Sequence, residues 1–64
     1  MQGTVREFDE GKGLGVIATA DDRTFQFHCV EIADGTRTID AGRAVTFRPL
    51  PRFGAFQAGA IEKR

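Results

Sequence analysis

The chain has 64 residues, 41% hydrophobic and 28% charged, and its nine basic side chains balance its nine acidic ones. This length allows a single domain over residues 1–64, and a chain of this size buries only about 60% of the surface that it exposes when unfolded. The composition is that of a folded globular protein, and no apolar run approaches the ~18 residues of a membrane span.

Short β-rich runs separated by glycine or aspartate turn signals predict five strands. In chain order they cover residues 3–9, 13–19, 24–28, 44–48 and 55–62. The long connection that follows the third strand is predicted to hold one helical turn at residues 30–32 before Asp34 and Gly35 reverse the chain. Pro49 and Pro51 are predicted to end strand pairing because they lack N–H donors.

Five short antiparallel strands in so small a chain predict an all-β fold, a closed Greek-key barrel, because open strand edges invite aggregation. Side chains alternate between the two faces of a strand. The predicted interior consists of the aromatic and aliphatic side chains of one face, namely Ile17, Phe25, Phe27, Val45 and Phe47. Leu14 and Val16 are predicted to lie outside, beside Gln26 and His28.

Charge is distributed unevenly along the chain. Residues 1–34 contain three basic and seven acidic side chains, and residues 35–64 contain six basic and two acidic, so that the two parts carry −4 and +4. Such asymmetry is compatible with a basic face for phosphates. A solvated mixed surface explains it as well and is the interpretation that we favour, because the two parts interleave in a closed barrel.

The first residues and the cysteine content bear on the compartment. The N-terminus lacks the basic and apolar segments of a secretory signal, so we expect a cytoplasmic location. Cys29 is the single cysteine and cannot form an internal disulfide.

Several segments, in the same order along the chain, carry a resemblance to a known family. Residues 12–17 read Lys-Gly-Leu-Gly-Val-Ile where that family has Lys-Gly-Phe-Gly-Phe-Ile, and residues 25–28 read Phe-Gln-Phe-His where it has Val-Phe-Val-His. Residues 38–47 and 57–61 are similar to its Thr-Leu-x-x-Gly-x-x-Val-x-Phe and Gln-Ala-x-Asn-Val segments. Over essentially its whole length the chain resembles the cold-shock domain, the five-stranded oligonucleotide-binding barrel (OB-fold).

The resemblance implies binding of single-stranded RNA or DNA, with bases stacked on exposed side chains of the sheet. The implied site combines residues that match the family with residues that replace its rings, namely Arg6, Phe8, Lys12, Leu14, Val16, Gln26 and His28. The usual ring is replaced at Glu7, Leu14, Val16, Gln26 and Cys29. Losing four stacks at about 1 kcal/mol each would lower affinity roughly a thousandfold, so weak binding is expected.

Each implied site residue has an alternative interpretation. Lys12, His28 and Arg6 are also explained as solvated surface residues, and Phe8 as part of the core. The outward aliphatic side chains of the second strand offer base contacts without rings, or form an apolar patch that meets a protein partner or a second copy.

A second group of candidate residues lies in and just after the proline-bounded loop before the fifth strand. A hypothetical displaced platform for stacking and cation contacts consists of Arg52, Phe53 and Phe56, with Arg48 and Arg37 near them. The alternative is that Phe56 packs into the barrel and Phe53 covers its end.

Catalysis is not expected. One histidine and one cysteine do not provide a multi-ligand zinc site without further carboxylates, and neighbours on a strand point to opposite faces. The glycines around Lys12 lack the Gly-Lys-Ser/Thr and helix of a phosphate loop. The sequence therefore predicts no enzyme, metal or cofactor. Two functions remain, a single-strand binder and a barrel that serves protein partners, and salt dependence separates them.

Overall fold

The computed structural model describes residues 1–52 and 55–64 of the chain. Within these residues the strands are β1 (Gln2–Asp9), β2 (Leu14–Ala18), β3 (Thr24–His28), β4 (Ala44–Arg52) and β5 (Ala55–Lys63). A single 3-10 turn, Cys29–Glu31, follows β3 directly, one residue earlier than the sequence predicts. The described part of the chain contains no helix that could cross a membrane.

The strands close into a barrel in the order β1-β2-β3-β5-β4, which confirms the predicted all-β, five-stranded fold. The pairs β1–β2, β1–β4, β2–β3 and β4–β5 are antiparallel. The closing pair β3–β5 is parallel and is registered by Gln26 against Gln57. This parallel closure brings the starts of β3 and β5 to the same end of the barrel.

The prediction that Pro49 and Pro51 end strand pairing is wrong. β4 continues through both prolines and pairs Pro49 with Ala58 and Pro51 with Phe56 of β5. β1 pairs with β4 only as far as Thr46, so within residues 1–52 and 55–64 no strand pairs with the other edge of β4 beyond that point. A proline on such an edge removes no ladder hydrogen bond, which explains why the strand tolerates two of them.

The predicted core residues are all buried, which confirms the assignment of faces. Ile17, chosen from the second strand for the interior, is fully buried. Phe25 and Phe47 contact each other across the barrel with ring centroids 5.0 Å apart. The core also takes in residues that the alternation argument did not assign, namely Val5, Ile32, Ile39, Ala58 and Ile61.

Candidate nucleic-acid interface

The outward side chains of β1, β2 and β3 form one exposed surface. Leu14 pairs with His28, and Val16 pairs with Gln26. Because directly paired residues carry their side chains on the same face about 4.5–5.5 Å apart, the predicted neighbourhood of these four residues is confirmed. On the other side of β2, Val16 faces Glu7 and Leu14 faces Asp9. We call this surface the outer face and define it by Glu7, Asp9, Leu14, Val16, Gln26 and His28.

The aliphatic residues of the outer face are accessible to a ligand. Leu14 is 48% exposed, Val16 is half-buried, and Gln26 and His28 are exposed. Between the two aliphatic residues Gly15 points to the interior, where an added Cβ would overlap the ring of Phe27. The glycine thus lets the Phe27 ring fill the space beneath the face while Leu14 and Val16 stay outside.

A β-bulge in β1 decides which side chains reach the outer face. Val5 pairs with Ile17, but the next partner, Val16, pairs with Glu7, so Arg6 is an extra residue on β1. The bulge shifts the alternation by one residue. Arg6 is exposed at the bulge, and Glu7 takes the outward position.

Phe8 lies on the inner side of β1 as a consequence of this bulge. It pairs with the inward-pointing Gly15, and its ring stacks on Phe27 at a centroid distance of 5.8 Å and an interplanar angle of 3°. The ring is half-buried and packs against the core. Phe8 is therefore at the margin of the candidate site, with one part of its ring accessible beside the bulge.

Lys12 lies in the turn between β1 and β2, at the end of the outer face. Oδ1 of Asp9 accepts hydrogen bonds from the backbone N–H groups of Gly11 and Lys12, at 2.9 and 3.2 Å. The Lys12 side chain is exposed. It lines a shallow depression of about 260 Å³ together with residues of the outer face, namely Glu7, Asp9, Leu14, Gly15, Val16 and Gln26. The cation therefore faces the same depression as two carboxylates.

His28 has one ring nitrogen committed to the protein. Nδ1 accepts a hydrogen bond of 3.3 Å from the backbone N–H of Val30 and so caps the 3-10 turn. In the neutral ring the proton then resides on Nε2, for which the described part of the chain provides no hydrogen-bond partner, so that it can donate to an acceptor outside the barrel. The neighbouring Cys29 is half-buried and packs against Gly13, where an added Cβ would lie only 2.8 Å from the Cys29 sulfur. The φ of Gly13 is +67°, a backbone conformation that favours glycine.

The outer face continues across β3 toward β5 and β4. A second depression, of about 340 Å³, is lined by His28, Val30, Glu31, Leu50, Gln57 and Ala58. Leu50 pairs with Gln57, which in turn is registered against Gln26. The sequence did not predict that Val30, Leu50 and Gln57 lie beside the outer face. The alternation of side chains along a strand does not show that β3 pairs with β5.

Of the two aromatic residues proposed for the displaced platform, the structure describes one. Phe56 is 61% exposed, so the alternative in which it packs into the barrel is wrong. It lines an open cleft of about 470 Å³ with Arg23, Thr24, Phe25 and Pro49. The prediction on Phe53 lies outside the described residues. Arg48 is exposed but lines a different depression, beside Phe47 and Glu62.

A family model described as the 'Cold-shock' DNA-binding domain matches residues 1–63. The chain belongs to this family. As a cold-shock domain it is a nucleic-acid-binding barrel, and its family is one of binding domains rather than of enzymes. Comparison with curated proteins gives no match.

Proposed function

We propose that this cold-shock domain binds single-stranded RNA or DNA through the outer face, with lower affinity than a ring-bearing face would give. The observation that carries the proposal is the register of β2 and β3, which pairs Leu14 with His28 and Val16 with Gln26 in solvent. A single strand laid across these residues would contact the same strands that carry the stacking positions of the family.

Roles follow from the chemistry of each side chain. Lys12 and Arg6 are exposed cations suited to phosphate contacts. His28 offers Nε2–H to a phosphate or base and its ring to a base. Leu14 and Val16 give apolar contact to base faces. Further contacts come from Gln26, whose side-chain amide can donate and accept, and from the accessible part of Phe8.

The reduced affinity follows from the side chains that occupy the outer face. Each base stacked on an aromatic ring contributes roughly 1–3 kcal/mol. Glu7, Leu14, Val16 and Gln26 present no ring, so the loss is about 4 kcal/mol or more, a factor of about a thousand in Kd. The carboxylate of Glu7 adds repulsion toward phosphates. We therefore expect dissociation constants in the micromolar range or weaker.

Fluorescence anisotropy with labelled uridine and thymidine heptamers tests this proposal. At low salt both strands are expected to bind, and log Kd should rise linearly with log salt because counterions are released from phosphates. Duplex DNA of the same length is the matched control and should bind more weakly, since its bases are not open for stacking. Failure of both single strands to bind at millimolar protein would contradict the proposal.

The exposed aliphatic residues favour a second candidate function. Leu14 is 48% exposed beside the half-buried Val16, and the carboxylates of Glu7 and Asp9 flank them on β1. An apolar patch of this kind suits a protein partner or weak self-association. An apolar contact should hold or strengthen as kosmotropic salt is added, whereas phosphate contacts weaken. Sedimentation in sulfate and a salt series in anisotropy therefore separate the two functions.

A further inference from the structure

A cleft at one end of the barrel is lined by none of the residues that define the outer face. Its walls come from the start of β3, with Thr24 and Phe25, and from the β4–β5 hairpin, with Pro49 and Phe56. Arg23 completes its rim. The cleft forms because β3 and β5 run parallel from this end, while β4 stays paired with β5 through both of its prolines.

The walls of the cleft are suited to a flat apolar ring. Phe56 presents 61% of its surface to solvent, and the nearly buried Phe25 and the ring of Pro49 close the other sides. An open volume of about 470 Å³ admits a nucleobase with its sugar. Among the described residues Phe56 is the most exposed aromatic side chain. Such a ring is a stacking platform for any base, because every base has a π-face.

The rim of the cleft carries a planar cation. The guanidinium carbon of Arg23 lies 5.7 Å from the centroid of the Phe25 ring. Its Nε donates to Asp21 at 2.9 Å, and within residues 1–52 and 55–64 no hydrogen-bond partner is found for Nη1 or Nη2. These two groups can donate in parallel to a phosphate or to a base edge. Two exposed carboxylates would oppose a phosphate here: that of Asp21, which is paired with Nε of Arg23, and that of the neighbouring Asp22.

The cleft is continuous with the outer face along β3. The exposed side of this strand carries every second residue, namely Thr24, Gln26 and His28. Successive members of this row are about 6.6 Å apart along the strand. Gln26 is registered against Gln57, the residue after Phe56. A single strand that crosses the outer face from His28 to Gln26 therefore reaches the cleft in one further step.

We propose that the cleft takes one base of the bound single strand, stacked on Phe56 and held at its rim by Arg23. This inference rests on the proposed function, since it places an additional base of the same strand. Phe56 would then provide a stacking ring in the cleft, whereas most of the family's rings on the outer face are replaced by other side chains.

Binding of a thymidine heptamer to variants of the full chain tests the inference. Phe56→Ala should weaken binding by about 5- to 150-fold, the range expected for one lost stack, whereas Phe56→Tyr, which keeps the ring, should bind like the parent. Because Phe56 is largely exposed, both variants are expected to melt close to the parent, which circular dichroism checks. An unchanged affinity of a folded Phe56→Ala variant would overturn the inference.

A separate pair of variants tests the role of Arg23 at the rim of the cleft. Arg23→Gln should reduce the slope of log K against log salt by about one, whereas Arg64→Gln should leave it unchanged. Arg64 donates to Gln2 on another side of the barrel. If the parent chain binds the heptamer but Phe56→Ala leaves the affinity unchanged, the cleft is rejected and the proposed function stands. An unchanged salt slope of Arg23→Gln would reject the role of Arg23 at the rim. If the parent chain binds neither the thymidine nor the uridine heptamer, the cleft and the proposed function are both rejected.

Discussion

Leu14 on β2 lies directly across from His28 on β3, with both side chains on the solvent side of the barrel. The imidazole has its Nδ1 committed to the backbone N–H of Val30. A ligand that covers Leu14 therefore meets an imidazole whose orientation is fixed by the 3-10 turn. This pair combines an apolar side chain with a hydrogen-bond donor where the family has a stacking ring beside a histidine.

Returning rings to the outer face should strengthen nucleic-acid binding. Leu14→Phe and Val16→Phe each restore one stacking surface, and we expect each to raise the affinity for a thymidine heptamer by about 5-fold or more. Anisotropy at low salt measures the change. Thr4→Phe is the matched control because Thr4 is an exposed β1 residue beyond the bulge, where it faces Ala18 and Ala44. Equal gains from the control and the two test variants would contradict the assignment of the face.

The acidic and basic side chains around the depression at Lys12 should have opposite effects on the affinity for nucleic acid. Glu7→Gln removes repulsion toward phosphates and is expected to raise affinity at low salt, with the gain fading as salt screens the charge. Lys12→Gln should lower affinity and reduce the salt slope by about one. Glu62→Gln, an exposed acid on β5, is the control. A gain of the same size from Glu62→Gln would mean that only net charge matters.

Gly15 should tolerate no side chain. An added Cβ would overlap the Phe27 ring and would lie 2.9 Å from the carbonyl oxygen of Glu7. Because Phe27 is buried in the core, the ring cannot move aside without strain, and we expect Gly15→Ala to destabilise the fold by about 1–3 kcal/mol. Urea unfolding measures this free energy.

The control for that variant is Gly11→Ala in the neighbouring turn. Its added Cβ would come no closer than 3.3 Å, to Oδ1 of Asp9. We expect a change within about 0.5 kcal/mol. A Gly15→Ala protein as stable as Gly11→Ala would contradict the packing described for Phe27.

The sequence was sufficient to predict the part of the core that lies on β2, β3 and β4, and the outward residues of β2 and β3, because both depend on the two-residue period of strands. Ile17 inside and Leu14 outside follow from that period and are found so. The bulge at Arg6 could not be predicted. Polar and apolar residues do not alternate clearly along β1, so an extra residue does not change a recognisable pattern. It is the reason that Phe8 packs on Phe27.

The cleft at Phe56 could not be predicted because it depends on long-range pairing. Arg23 and Phe56 are far apart in the chain and come together through the parallel registration of β3 with β5. The two prolines in the sequence predict that β4 ends before them. Because they lie where β4 pairs only with β5, the strand continues through both prolines to Arg52. The exposure of Phe56 followed from this tertiary arrangement, not from its own hydrophobicity.

The connection between β3 and β4 should contribute a pH-dependent stability. Hydrogen bonds from the backbone N–H and the hydroxyl of Thr36, together with the Lys63 ammonium at 3.0 Å, lower the pKa of Asp34 from 3.8 to about 2. A carboxylate with a lowered pKa stabilises the folded state above the pKa of the unfolded state. This contribution is full above about pH 4 and is lost as the pH falls toward about 2.

Asp34→Asn tests this assignment. The variant should be less stable than the parent at pH 6, and the difference should shrink between about pH 4 and about pH 2. Thermal melts across that range measure it. Asp40→Asn is the control, because within the described residues the Asp40 side chain has none of the bonds found for Asp34. A constant difference at all pH values would show that Asp34 acts by packing rather than by charge.

We propose that the outer face of this cold-shock domain binds single-stranded nucleic acid. An NMR titration of the full chain with a short pyrimidine-rich strand at low salt tests it most directly. We expect amide shift changes that cluster on Lys12, Leu14, Val16, Gln26 and His28, and that extend to Thr24 and Phe56 if the cleft is occupied. Unchanged spectra at millimolar strand would contradict it and would favour a protein partner for the same face.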